Sequence, residues 1–249
     1  MIDITVLIME LIEKLISIIP EEKVRDLVVG LGWTVVLSVH AGMAMTYRFN
    51  EEPRDVNSLH EMNTKELAQL LRSWNFLEAS VGLAGINSAL PIPKSYKIAN
   101  ALDLALQESE GKVVTMVGYF FPYVEKFREK AKRFYVLELN PNLVDSRKNV
   151  LYTFAAEEVI PKSDIVIFTA TTIINKSIER LLQLSRSAKV YLVGPSTPMT
   201  DVLFDYGIDV IGGVRVKDEE KLVRVIKNGL CFPFSDFMRK HVLEEIVIE

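Results

Sequence analysis

The chain has 249 residues, of which 49% are hydrophobic and 25% charged, with a formal net charge of -4. That length can bury one large core or two modest ones, and the composition excludes a disordered chain. No basic surplus or stripe is present, so a nucleic-acid partner is not expected.

The single cysteine, Cys231, cannot form an internal disulfide, which fits a reducing, cytoplasmic setting. The three histidines, His40, His60 and His241, include no pair at metal-ligand spacing. A built-in transition-metal site is therefore not expected, and any metal ion would arrive with a ligand or use carboxylates.

The apolar run Val6–Ile19 is interrupted by Glu10, Glu13 and Lys14 and is shorter than a bilayer span of about 20 residues. Only Asp3 precedes it, where a signal peptide would carry positive charge. Leu7, Leu11, Leu15 and Ile18 make one helical stripe, predicting a docked amphipathic helix and no membrane partner. The same stripe could serve a homo-oligomer.

Val24–Val29 and Trp33–Val39 read as strands joined by a tight hairpin at Gly30-Leu31-Gly32, and Met43–Phe49 as the third strand of a meander. The polar stretch Asn50–Asn57, with Pro53, predicts a loop. Thr64 is placed to cap a helix running to Arg72, and a second helix covers Phe76–Ala89 before Pro91 and Pro93. This half is α+β.

The pattern then changes. Val113–Val117, Tyr135–Leu139, Ile165–Phe168, Val190–Val193 and Val210–Ile211 are short apolar runs. Helical stretches at Pro122–Arg133, Ser177–Ser185, Met199–Tyr206 and Asp218–Asn228 separate them. Such alternation predicts a parallel sheet covered on both faces, with Ser95–Gln107 as a bridging helix. The fold class is thus α/β, with a small α+β domain at 1–95 and a parallel-sheet domain at 96–249.

Ligands of open parallel sheets bind outside the carboxyl ends of the strands, and that rule selects the candidate residues. Gly118 ends the first such strand and is followed by Tyr119-Phe120-Phe121. The three-glycine dinucleotide fingerprint is absent, so these aromatics either line a pocket for a flat ring or pack structurally. Glu138, ending the second strand, sits where a carboxylate can bind a ribose diol; capping and ion pairing are the alternatives. Thr169, Thr171 and Asn175 follow the third, as polar ligand contacts or as caps.

After Val190–Val193, the segment Gly194-Pro195-Ser196-Thr197-Pro198 reads as a strand-to-helix turn, with Thr197 at the N-cap and Pro198 first in the helix. Such a turn favours an anion, whereas no nucleophile elbow surrounds Ser196. His40 is either structural or an acid/base group, and Asn87 either donates to a ligand or caps. Glu157 and Glu158 are expected in solvent.

Together these segments resemble a family linked with heavy-metal chelation. Gly32-Trp33-Thr34, Gly42, Ala44, Gly85-Ile86-Asn87 and Val117-Gly118 carry the resemblance. Ser163 to Thr169 with Asn175, Gly194 to Pro198 and Gly212-Gly213-Val214 carry it more specifically. The resemblance implies an enolase-N-terminal-like domain followed by a Rossmann-like domain, with a small-molecule ligand in the cleft between them. It also implies handling of pterin-, flavin- or siderophore-like chelators, with a metal ion carried by the ligand. A partial similarity to methyltransferases makes S-adenosylmethionine the alternative cofactor, and a non-catalytic chelate carrier or sensor is a third reading. Many relatives place a histidine after the glycine that ends the first Rossmann strand; Tyr119 stands there in this chain.

Overall fold

A computed structural model describes residues 10–47, 58–231 and 236–249. The predicted loop Asn50–Asn57 and the end of the predicted third strand lie outside them, as do the first residues of the apolar N-terminal run.

The amphipathic reading of the N-terminus holds for its described part. Helix α1 (Glu10–Ile18) buries Leu11, Ile12, Leu15 and Ile16 and leaves Glu10, Glu13 and Lys14 in solvent. Strands β1 (Asp26–Val29), β2 (Trp33–Leu37) and β3 (Ala41–Met45) form the antiparallel meander. Its first turn is closed by Gly30 N–H donating to the Trp33 carbonyl at 3.0 Å.

Asn63, not Thr64, caps the next helix, α2 (Thr64–Gln69). The Asn63 side chain accepts from Glu66 N at 2.9 Å, while the Glu66 carboxylate accepts from Asn63 N at 2.8 Å. This is a reciprocal capping box. Thr64 Oγ1 is spent elsewhere, donating to the Pro20 carbonyl and accepting from Glu22 N.

Helix α3 (Phe76–Ala89) is buried on almost every side, as expected of a helix apolar all round. It lies so close to β3 that a Cβ on Gly42 would stand 2.0 Å from Ser88 N. No side chain fits there, which accounts for the glycine.

The large sheet has eight strands in the order β4-β11-β10-β9-β8-β5-β6-β7. They are β4 (Lys97–Ile98), β5 (Val113–Val117), β6 (Arg133–Glu138), β7 (Val150–Tyr152), β8 (Ile165–Thr169), β9 (Lys189–Val193), β10 (Val210–Val216) and β11 (Leu243–Ile248). The six from β10 to β7 are parallel. From β5 the chain winds outward through β6 and β7, then returns to lay β8, β9 and β10 on the other side. That is the doubly wound order, with its switch point between β5 and β8.

Alternate residues fill the two faces, as burial on both sides requires. Val117, Leu137, Val166, Phe168 and Leu192 share a core with α1 and α3, whereas Met116, Val136, Ile167, Tyr191 and Val193 face the opposite layer. A third cluster joins Trp33, Val35 and Met43 of the meander to Leu222 and Ile226 of helix α9 (Glu219–Lys227).

Three expectations need correction. The bridging helix begins at Ala101, not Ser95; this helix, α4 (Ala101–Glu108), is capped by the Asn100 side chain. Lys97 and Ile98 instead pair antiparallel with Val247 and Ile246, a partner supplied by the far end of the chain. Helix Met199–Tyr206 is a 3₁₀ helix starting at Asp201 with Thr200 at its N-cap, so Thr197 and Pro198 neither cap nor open it. Thr197 Oγ1 donates to the Gly194 carbonyl at 2.7 Å and closes the preceding turn instead.

Candidate functional site

Strand β3 runs across the carboxyl ends of the parallel strands. Met45 N–H donates to Ser196 Oγ, just past β9, at 2.9 Å. The Asn87 amide, on α3, donates to the Met43 carbonyl at 2.9 Å and the Ser196 carbonyl at 3.0 Å. Two residues beyond β3, the Tyr47 hydroxyl accepts from the Asn175 amide at 3.4 Å. The crossing divides the edge into two parts.

The first part lies at the switch point. Gly118 has φ of +93°, and a Cβ there would stand 2.8 Å from Thr169 Cγ2, so only glycine suits this conformation and this space. Glu138 closes β6, with Oε1 accepting from Leu139 N and Asn140 N at 2.8 Å each. Its Oε2 has no hydrogen-bond partner among the described residues. Burial raises the Tyr47 hydroxyl pKa above its ordinary value, the Asn175 bond opposes this, and the Glu138 charge adds to the rise. Tyr47 was not among the residues singled out in the sequence. Its only signal there was its place at the end of the third strand, and the partner that gives it meaning follows β8.

The hydroxyl cluster after β8 is largely self-satisfied. Thr169 Oγ1 and Thr171 Oγ1 stand 3.1 Å apart, Thr172 Oγ1 donates to the Thr169 carbonyl at 2.7 Å, and Asn175 Oδ1 accepts from Ser177. The short helix α7 (Thr171–Ile174) uses these groups for its own turn. Lys176, two residues beyond this helix, has φ of +65° and is buried. It donates to the Leu71 carbonyl in the N-terminal region and to the Ile174 carbonyl. With no carboxylate partner among the described residues, burial holds its ammonium group down to about 8.

The second part holds a cleft of about 370 Å³ between β3 and the outer part of β10. His40, Asn87, Pro195 and Thr197 line it. His40 Nε2 stands 2.7 Å from the Leu90 carbonyl, so that nitrogen carries the hydrogen and tethers the ring to the turn after α3. Ser196 itself is 2% exposed, with its hydroxyl engaged by Met45. The structure thus makes Ser196 a rivet between the two halves, and Asn87 both rivet and wall.

Gly194 (φ +117°) and Pro195 border a smaller hollow of about 80 Å³ on the other face of the sheet. Phe120, Phe121 and Tyr123 enclose it, and Tyr119 stacks on Phe121 with ring centroids 6.4 Å apart. Its polar end is Glu245, which accepts from Asn100 at 3.0 Å and Arg239 at 3.3 Å. The twelve predicted site residues therefore fall at one edge of the sheet, with His40, Asn87, Pro195 and Thr197 around the larger cleft and Gly194 and Pro195 around the smaller hollow. Glu157 and Glu158 lie on the surface, paired with Arg180 and Lys162.

No helix among the described residues is long and apolar enough to cross a membrane. Nor do three His, Cys, Asp or Glu side chains gather at metal-binding distance among them.

Fold and edge together define a doubly wound α/β protein whose carboxyl strand ends are roofed by an antiparallel meander. The chain belongs to the family described as "Putative heavy-metal chelation", whose DUF364 model matches residues 100–244. A second model of the same description, DUF4213, matches residues 12–90. An uncharacterised protein of Methanocaldococcus jannaschii is 26% identical over 96% of this chain and 98% of its own length. A DUF364-family crystal structure of unknown function from Desulfitobacterium hafniense superposes with a TM-score of 0.85 at 26% identity, covering 97% of this chain and 98% of that one. One from Pyrococcus horikoshii, at 23% identity, gives 0.80 over 98% and 99% and shares the fold.

Proposed function

We propose that the protein binds a small, flat, polar chelator of the pterin, flavin or siderophore kind at the switch point, beneath Tyr47. One observation carries this reading. Tyr47 and Asn175, from the two halves of the chain, meet near a glutamate with an unengaged carboxylate oxygen and a glycine at the end of the first parallel strand.

Glu138 Oε2 accepts from a ligand donor, Gly118 permits close approach of a ring, and Tyr47 offers a hydroxyl from above. Thr169, Thr171 and Asn175 form the wall. A metal ion travels with the ligand, whose own donor atoms hold it. The family description supports metal handling without naming a ligand or a reaction.

A second reading is methyl transfer from S-adenosylmethionine. The doubly wound strand order favours it, since Glu138 then stands where a ribose diol is bound in such folds.

The test is a thermal-shift comparison of adenosylhomocysteine, NAD, ATP and a pterin, each with and without nickel or iron. A ligand at about 100 times its dissociation constant adds about 2.7 kcal/mol of stability. A shift that needs pterin or metal supports chelator binding, and one with adenosylhomocysteine alone selects the second reading. Glu138→Ala is expected to abolish the shift with little loss of intrinsic stability. An unchanged shift in that variant removes Glu138 from the site, and no shift with any ligand refutes both readings.

A further inference from the structure

The cleft on the far side of β3 has a chemistry of its own. Strand β10 pairs with β9 only as far as Gly212 opposite Val193, yet continues along β11 to Val216 opposite Leu243. Its outer residues therefore stand clear of the parallel sheet and face the start of β3. The space between measures about 370 Å³, within the range of small-molecule sites.

Most of the lining is apolar, including Met43, Leu90, Met199 and Ile246. Its only charged members are Arg215 and Lys217, and no Asp or Glu lines it. Arg215 lies near the end of β10, and Lys217, exposed, is the first residue after it. Arg215 is fixed by Glu244 at 2.7 Å, with its guanidinium 5.8 Å from the Tyr96 ring centroid. Lys217 Nζ donates to the Lys240 carbonyl at 2.8 Å and makes no ion pair among the described residues. One ammonium charge at the cleft thus lacks a counter-ion, in a protein whose net charge is negative.

From this arrangement we infer a second binding site, for a small organic anion whose apolar body fills the cleft and whose head group meets Lys217. Carboxylates and phosphate monoesters share that chemistry. The site is independent of the switch-point reading, because β3 and its bonds to Ser196 stand between the two spaces.

The test is titration of the full chain with 4-fluorobenzoate, 4-fluorophenyl phosphate and 4-fluorobenzyl alcohol, followed by fluorine NMR. At least one acid is expected to bind with a dissociation constant of about a millimolar, the alcohol more weakly, and the better acid identifies the head group. Lys217→Gln should weaken that acid about fivefold, the scale of one solvent-accessible ion pair. Ile92, which lines the mouth and is 48% exposed, provides a second variant that leaves the core untouched. Ile92→Trp should block the mouth and abolish binding. Glu138→Ala should leave acid binding unchanged, so failure here is distinguishable from failure at the switch point. Equal binding of alcohol and acids, acid binding that survives both Lys217→Gln and Ile92→Trp, or no binding at all would overturn the inference.

Discussion

Raising the pH from 7 to 9.5 should make this protein more stable, and Lys176 is the reason. Its ammonium group is buried against two carbonyl oxygens, with no carboxylate partner among the described residues, and burial holds its pKa down to about 8 from the ordinary 10.5. Because the folded-state value is depressed, the unfolded chain binds the proton more strongly. Stability must therefore rise with pH between those two values.

The gap between them corresponds to about 3 kcal/mol, of which about 2 kcal/mol is recovered between pH 7 and 9.5. For a chain of this size that is about 4 °C in melting temperature. The range stops short of pH 10, where ionisation of tyrosines in the unfolded chain begins to act in the opposite direction; burial raises the folded-state values of Tyr47, Tyr123 and Tyr191. The assay is chemical denaturation at each pH for the wild type and for Lys176→Met, whose difference removes the contribution of every other group. Parallel pH dependences would refute the argument.

Two further substitutions probe the edge itself. Gly118→Ala combines a left-handed backbone with a Cβ 2.8 Å from Thr169 Cγ2. It should cost about 2 kcal/mol or more, read as a lower denaturant midpoint with unchanged slope; a loss within 0.5 kcal/mol, the usual surface range, would contradict the close approach. Asn87→Ala removes both donors that join the Met43 and Ser196 carbonyls. A cost of about 2 kcal/mol is expected from equilibrium unfolding, and a neutral result would show that the two halves are held without it.

Much of the fold was legible because local rules and tertiary structure agreed. The apolar runs at Val113–Val117 and Ile165–Phe168 became central strands, and the helix Phe76–Ala89 stops before Pro91 and Pro93 as expected. What escaped depended on distant partners. Lys97 and Ile98 have no strand signal of their own and become a strand only through Ile246 and Val247. The β-rich run in β11 is interrupted by two glutamates, because one of its edges reaches the polar rim where Arg215 and Arg239 wait.

The candidate site was legible in the same uneven way. The rule that ligands gather at strand ends located Gly118, Glu138 and Thr169 on one edge. It could not show that Ser196 is consumed by Met45, since that bond joins residues 151 positions apart. Nor could spacing find Tyr47, Arg215 or Lys217, whose significance lies in what the N-terminal layer brings opposite them.

The place of β11 bears on how the chain is made. It lies between β4 and β10, so β4 waits unpaired until residue 247 has emerged from the ribosome. The meander waits as well: Gly30 packs on Ile226, and α1 donates through Leu11 N to Glu179. Neither half completes its core before these distant partners arrive, and such distant contacts make for slow folding. The sheet and its roof should close together, and should come apart in one transition rather than two.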